Sequence, residues 1–183
     1  MLRLPLILAL ILALPAGAEE LRVAPGADAL QSAIAGAAPG DVLLLEPGVY
    51  PGPVVIDHAI TLDGQGAAVI DGGGEGTVVT ITGEGATLLG LTIRRSGRRH
   101  QEIDAGVKLV KGASGNVIEG NTFEDNLHGV DVHGALDTVV RGNTIIGRQD
   151  ARMSERGNGF YVWNAPGTVI EGNAVRYGRD GIF

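Results

Sequence analysis

Val117-Ile118-Glu119-Gly120-Asn121-Thr122 is followed by Val139-Val140-Arg141-Gly142-Asn143-Thr144 and then by Val169-Ile170-Glu171-Gly172-Asn173-Ala174, three copies of one six-residue phrase. Each copy is a β-branched run too short for an amphipathic helix and closed by Gly-Asn, so it reads as strand, turn, strand. Glycine accepts the positive φ of a tight corner, and asparagine can hydrogen-bond nearby backbone with its side chain. A degenerate copy, Leu88-Leu89-Gly90-Leu91-Thr92-Ile93, preceded by Ile60-Thr61-Leu62-Asp63-Gly64, extends the series toward the N-terminus. The corner glycine moves from Gly64 to Gly90, Gly120, Gly142 and Gly172 in steps of 26, 30, 22 and 30 residues. Repetition at this scale is the signature of a solenoid, whose units bury their apolar faces only by stacking. The shortest step is the bare coil, and the longer steps carry insertions.

A second set of strands closes each coil: Gly106-Val107-Lys108-Leu109-Val110, Gly129-Val130-Asp131-Val132-His133, Gly159-Phe160-Tyr161-Val162-Trp163 and Gly181-Ile182-Phe183. With the period of two of a strand, Val107, Val130, Phe160 and Ile182 form one core column, and Leu109, Val132 and Val162 the next. The alternate columns, Lys108 over Asp131 over Tyr161 and Val110 over His133 over Trp163, face outward. The fold class is therefore all-β, a single-stranded right-handed parallel β-helix, because crossovers between parallel strands overwhelmingly take that hand. Stacking at about 4.8 Å would place Asn121, Asn143 and Asn173 above one another as a buried structural amide ladder.

The flanks add to this frame. Met1-Leu2-Arg3, an apolar run from Leu4 to Leu14 and the ending Ala16-Gly17-Ala18 describe a secretory signal peptide over residues 1–18, and hence export. Its removal would leave 13 Lys and Arg against 21 Asp and Glu, a formal charge of −8 that disfavours nucleic acid as a partner. The absence of cysteine excludes disulfides and thiolate chemistry. Asp28-Ala29-Leu30-Gln31-Ser32-Ala33-Ile34-Ala35 predicts a short helix, N-capped by Asp28, that covers the open end of the solenoid. Residues 19–183 form the β-helix, and because Phe183 stops within a strand whose counterparts continue, it reads as the N-terminal portion of a longer protein.

Two coils are eight residues longer than the shortest. Their extra residues fall in equivalent places, residues 94–104 and 148–158, two coils apart, so both loops should project from one side. Concentrated arginine in an acidic chain marks this side as a candidate partner-binding patch: Arg94, Arg98, Arg99, Arg148, Arg152, Met153, Glu155 and Arg156. Tyr161 and Trp163, on the adjoining outward columns, have the residue types that anchor interfaces. The plainer reading is two solvated loops beside an aromatic stack.

The stretch Arg152-Met153-Ser154-Glu155-Arg156-Gly157-Asn158-Gly159-Phe160-Tyr161-Val162-Trp163-Asn164-Ala165-Pro166-Gly167, followed by Arg176-Tyr177-Gly178-Arg179-Asp180-Gly181-Ile182-Phe183, closely resembles the NosD family of nitrous oxide reductase maturation proteins. The resemblance implies a periplasmic accessory protein that acts with an ABC-type ATPase, membrane subunits and a copper chaperone to assemble the copper-sulfur centre of nitrous oxide reductase. It also implies that copper is handled by the wider complex and that no cofactor is bound tightly here. The residues agree with that last point: Cu(I) prefers thiolates and thioethers, and beyond residue 18 the chain has no Cys and only Met153. His100, Asp131, His133 and Met153 are the remaining weak metal candidates.

A secreted β-helix that binds or modifies polysaccharide, as lyase, epimerase or hydrolase, is the competing reading. Glycoside hydrolysis requires two carboxyl groups about 5 to 10 Å apart, and the outward columns offer Lys108, Asp131 and Tyr161 in place of stacked acids. The sequence also holds no Asp-Asp pair, no Gly-His-Gly and no Arg-Ile-Lys. A non-enzymatic role is therefore expected.

Overall fold

The computed structural model describes residues 17–183. The predicted signal peptide, residues 1–18, falls almost wholly outside the described residues. The strands form three walls: seven strands from Glu20–Val23 to Val169–Glu171, six from Gly48–Pro51 to Ala174–Arg176, and five from Val54–Ile56 to Phe160–Trp163. Neighbours in each wall come from successive coils, and each strand pairing is parallel. The chain is a parallel β-helix.

The register follows the sequence periods. In the first wall Leu62 faces Leu88, Leu88 faces Ile118, Ile118 faces Val140 and Val140 faces Ile170. In the third wall Val107, Val130 and Phe160 align, and Phe160 bridges to Ile182. Most of these inward side chains are fully buried, and Phe123, Ile93 and Ile145 fill the interior from the second wall. Burying a large aliphatic or aromatic side chain contributes about 1.5–3 kcal/mol, so stacked columns supply the stability that crosslinks do not. The corner glycines Gly90, Gly120, Gly142 and Gly172 all have φ near +60°, the left-handed region that only glycine adopts without strain.

A helix, Ala29–Gly36, seals the N-terminal end with Leu30 and Ile34 buried against the core. Its start differs from expectation: Asp28 has φ 58° and makes no side-chain cap hydrogen bond. A residue in the left-handed region does not have the extended geometry of an N-cap, so its carboxylate is not aimed at the first-turn amides. Gln31 does the sealing instead. Its Nε2 donates to the Val55 carbonyl at 3.2 Å, while its Oε1 accepts the Val55 N–H at 2.8 Å. The side chain thereby satisfies the free edge of Val54–Ile56, the terminal strand of the third wall.

Candidate functional site

The two long loops both leave the corner between the second and third walls. Residues 94–104 connect Thr92–Arg94 to Ala105–Leu109, and residues 148–158 connect Thr144–Ile146 to Phe160–Trp163. They meet directly. Arg98 Nη2 lies 3.4 Å from Asp150 Oδ2, and His100 Nε2 lies 3.1 Å from the Glu155 carbonyl oxygen.

Arg148 makes the strongest connection, and its position corrects the sequence reading. Grouped there with the surface arginines, it is only 5 % exposed. Its Nη2 donates to the Ser96 carbonyl at 2.7 Å and to the Gly97 carbonyl at 3.1 Å, and its guanidinium also reaches the Asp125 carbonyl and carboxylate. Burial lowers its pKa from the ordinary arginine value, and Asp125 opposes that shift. Arg148 is thus a clamp between coils. Residues with several parallel donors suit this role, because one planar group can satisfy several carbonyls.

Other arginines divide in the same way. Arg94 and Arg95 both bind Asp71 on the coil below, at 2.8 and 2.7 Å. Arg156 turns back on its own loop, donating to the Ala151 carbonyl at 2.9 Å and lying over the Tyr177 ring. Arg98, Arg99 and Arg152 stay exposed, as do Met153 and Glu155 on a single 3-10 turn, Met153–Glu155. Tyr161 points outward, edge-on to His128 and stacked on Phe183, and Trp163 is exposed beside His133 on the preceding coil.

The outward column of the third wall holds a further departure. Lys108, Asp131 and Tyr161 align as expected, yet Asp131 is completely buried and not a surface acid. Strand alternation gives a side chain's direction but not what lies above it, and here Lys108 reaches across to the Glu102 carbonyl of the first long loop at 2.5 Å. Both Asp131 oxygens lack a hydrogen-bond partner, with Lys108 Nζ at 3.5 Å and His133 Nδ1 at 4.0 Å. Burial pushes the Asp131 pKa up to about 6, against the pull of Lys108 and His133. His128, from the same strand, is also buried; desolvation, aided by His100 and Arg179, pushes its pKa down to about 4.

At the corner between the first and second walls the three asparagines are hydrogen-bonded in series. Asn143 Oδ1 accepts the Asn121 N–H at 2.9 Å and Asn173 Oδ1 accepts the Asn143 N–H at 2.8 Å, while each Nδ2 donates to the carbonyl of Leu88, Ile118 or Val140 on the preceding coil. Asn116 and Asn126 do the same at the other two corners, accepting from Ala86 N–H and Ser96 N–H. Those two were not singled out from sequence because neither recurs with the repeat.

Among the described residues, the side chains of copper-ligating type have other engagements or stand apart. His128 Nδ1 accepts the Asn158 N–H at 3.1 Å, His100 Nε2 is engaged by Glu155, and Met153 stands exposed on its turn. Among the described residues, no group of three or more His, Cys, Asp or Glu is placed to hold a metal ion. Nor is any described helix long and apolar enough to cross a membrane.

Comparison with solved structures places the architecture among β-helical polysaccharide lyases. An alginate lyase from a Paenibacillus species superposes with a TM-score of 0.73 at 24% identity, over 86% of this chain and 58% of that one. A pectate lyase gives 0.63 at 20% identity, over 86% and 48%. At such identity the likeness shows the fold alone. Sequence relatives are closer: a protein of Pseudomonas aeruginosa described as a probable ABC transporter binding protein NosD is 36% identical over 75% of this chain, and its counterpart from Stutzerimonas stutzeri is 31% identical over 75%. The chain spans about a third of the length of these relatives, 32% and 31% respectively. A family model described as "Periplasmic copper-binding protein (NosD)" matches residues 46–183, from the first coils to both long loops, and on that match the chain belongs to the NosD family.

Proposed function

We propose that this chain is a periplasmic β-helical accessory protein in the maturation of the copper-sulfur centre of nitrous oxide reductase. In this reading it acts by docking rather than by catalysis, together with the ATPase and membrane subunits of an ABC-type transporter and with a copper chaperone. The periplasmic description of the family and the transporter-related names of the relatives support the setting. Copper is cargo of the assembly, delivered by the chaperone, and no cofactor is held tightly by this chain.

One observation carries the docking surface. Two long loops separated by a complete coil are joined into a single face through Arg148, the Arg98–Asp150 pair and the His100–Glu155 contact. Arg98, Arg99, Arg152, Met153 and Trp163 offer the exposed side chains of that face, whereas Arg94, Arg148 and Arg156 hold it in shape. Exposed arginine and tryptophan are the residue types that concentrate binding energy at interfaces. Replacing Arg98, Arg99 and Arg152 together by Glu in the full-length protein should abolish copper-centre assembly in cells while export and thermal unfolding stay unchanged. Normal copper content in the reductase of that strain would place the docking surface elsewhere.

A further inference from the structure

The coil between the two long loops turns at the same corner through only Asp125, Asn126 and Leu127. A slot is therefore left between the loops. Its volume is about 250 Å³, and Arg98, His100, Arg148, Ala151 and Glu155 line it. Arg148 spans the short coil, with Nε turned to the Asp125 carbonyl and Nη2 to the carbonyls of Ser96, Gly97 and Asp125. Among the described residues its Nη1 has no hydrogen-bond partner, so this is the edge of the guanidinium left to the slot. A buried arginine with free N–H donors in a cleft wall marks a place for an acceptor from outside.

The charges at that edge favour an anion. Burial lowers the Arg148 pKa most, and the charge of Arg98 adds to that effect, against Asp125 and Asp150. A negative group between the two guanidiniums would be attracted by both. Arg98 reaches Asp150 through Nη2 at 3.4 Å, and its other N–H donors have no partner among the described residues. Two guanidiniums against the one carboxylate of Glu155 leave a single positive charge in the lining, which suits a monoanion better than a dianion. Asp125 and Asp150 pair with these arginines from outside the lining. Their side chains are 51% and 63% exposed, so solvent screens them more than it screens Arg148.

We propose that the slot receives one carboxylate from an acidic side chain of the docking partner, held between Arg148 Nη1 and the Arg98 guanidinium. This rests on the docking role proposed above and names the chemistry that the partner brings to it. A partner laid across both loops covers the slot, and an aspartate or glutamate projecting from it enters between them. An anchor residue seated in a preformed pocket is the arrangement that concentrates binding energy at an interface.

Calorimetric titration of the full-length protein with a hexaglutamate peptide at fixed ionic strength tests it, with hexaglutamine, acetate and inorganic phosphate as comparisons. Saturable binding of hexaglutamate is expected, at least tenfold tighter than binding of any of the three. Arg98→Gln should weaken it at least fivefold. Glu155→Gln, which removes the repelling charge from the lining at an exposed position, should tighten it at least threefold. Arg152→Gln, on the same face but outside the slot, should change it less than twofold. Absence of saturable binding, equal affinity for hexaglutamine, no tightening in Glu155→Gln, or equal losses in Arg98→Gln and Arg152→Gln would overturn the proposal. Acetate binding as tightly as hexaglutamate would reassign the slot to a free small anion, and tighter phosphate binding would reassign it to a dianion. Peptide binding together with normal copper-centre assembly in the triple-Glu strain would overturn the docking role and keep the slot's chemistry. Lost assembly without peptide binding would overturn the slot and keep the docking role.

Discussion

Two corners of the same coil obey different rules. Between the first and second walls the last four coils each turn in two residues, and from Asn121 onward the hydrogen bonds repeat rung by rung through Asn143 and Asn173. Between the second and third walls the coils differ in length, and Arg148, His128 and, farther along the same strand, Asp131 are buried polar groups whose partners do not repeat from coil to coil among the described residues. The first corner is satisfied by stacking alone, because a neighbour of the same shape always presents the same donors and acceptors. The second relies in part on groups that an inserted loop supplies, and it leaves residues such as Asp131 and Asn158 incompletely paired. Repetition builds the scaffold, and departures from it create unusual electrostatics.

The sharpest test of that contrast is the middle rung of the regular corner. Asn143→Ala removes the acceptor of the Asn121 N–H and the donors to the Ile118 and Arg141 carbonyls, all within buried or part-buried surroundings. Leaving several such groups unsatisfied should destabilise the protein by about 3 kcal/mol, read as a lowered midpoint in chemical denaturation. Asn173→Ala, on a half-buried rung where water can substitute, should lose less than half as much. Equal losses would mean that the ladder's contribution does not depend on burial.

At the irregular corner, pH separates two buried groups with opposed effects. Asp131 has a folded pKa of about 6, above its ordinary 3.8, so the folded state binds that proton more tightly and gains stability as pH falls from about 6 toward 4. His128 has a folded pKa of about 4, below its ordinary 6.5, so it contributes stability above 6.5 that is lost as pH falls toward 4. Each is worth on the order of 3 kcal/mol. The groups facing them are Lys108 and His133 for Asp131, and His100, Arg179, Lys108 and Asp104 for His128. The two slopes nearly cancel in the native chain. Asp131→Asn should therefore make stability fall steeply between pH 6.5 and 4, and His128→Gln should make it rise over the same interval. Parallel profiles for the two variants would remove the opposition.

A smaller effect is expected at Arg148. Arg148→Met leaves the carbonyls of Ser96 and Gly97 without their donor, but it also removes a charge whose burial is unfavourable, so the net loss should be about 1 kcal/mol. The more telling readout is local: protease cleavage within residues 94–104 should accelerate well before the core unfolds.

What the sequence made legible follows the same division. The columns of Leu62, Leu88, Ile118 and Val140, and the corner positions of Asn121, Asn143 and Asn173, can be placed because the period is fixed and each coil repeats the last. The convergence of the two long loops on one side also follows from their equivalent positions. The burial of Asp131 does not, since alternation fixes only the direction of a side chain, and the loop segment around Glu102 lies outside the repeat. Arg148 looked like its exposed neighbours for the same reason. The burial of His128 is not legible either, because its neighbours, His100 and Asn158, come from different coils.

The exposed part of the irregular corner should be almost silent in stability. Arg98 and Asp150 lie 3.4 Å apart with side chains 66% and 63% exposed, a geometry in which solvent screening and side-chain entropy offset most of the Coulomb attraction. Arg98→Ala, Asp150→Ala and the double variant should each shift unfolding by less than about 0.5 kcal/mol, with a coupling energy within the error of the cycle. If the coupling instead approached that of a buried pair, the two loops would be held together at their tips as well as at Arg148. The face would then be rigid to its rim, and substitutions at Arg98 would alter docking through the shape of the surface as well as through its charge.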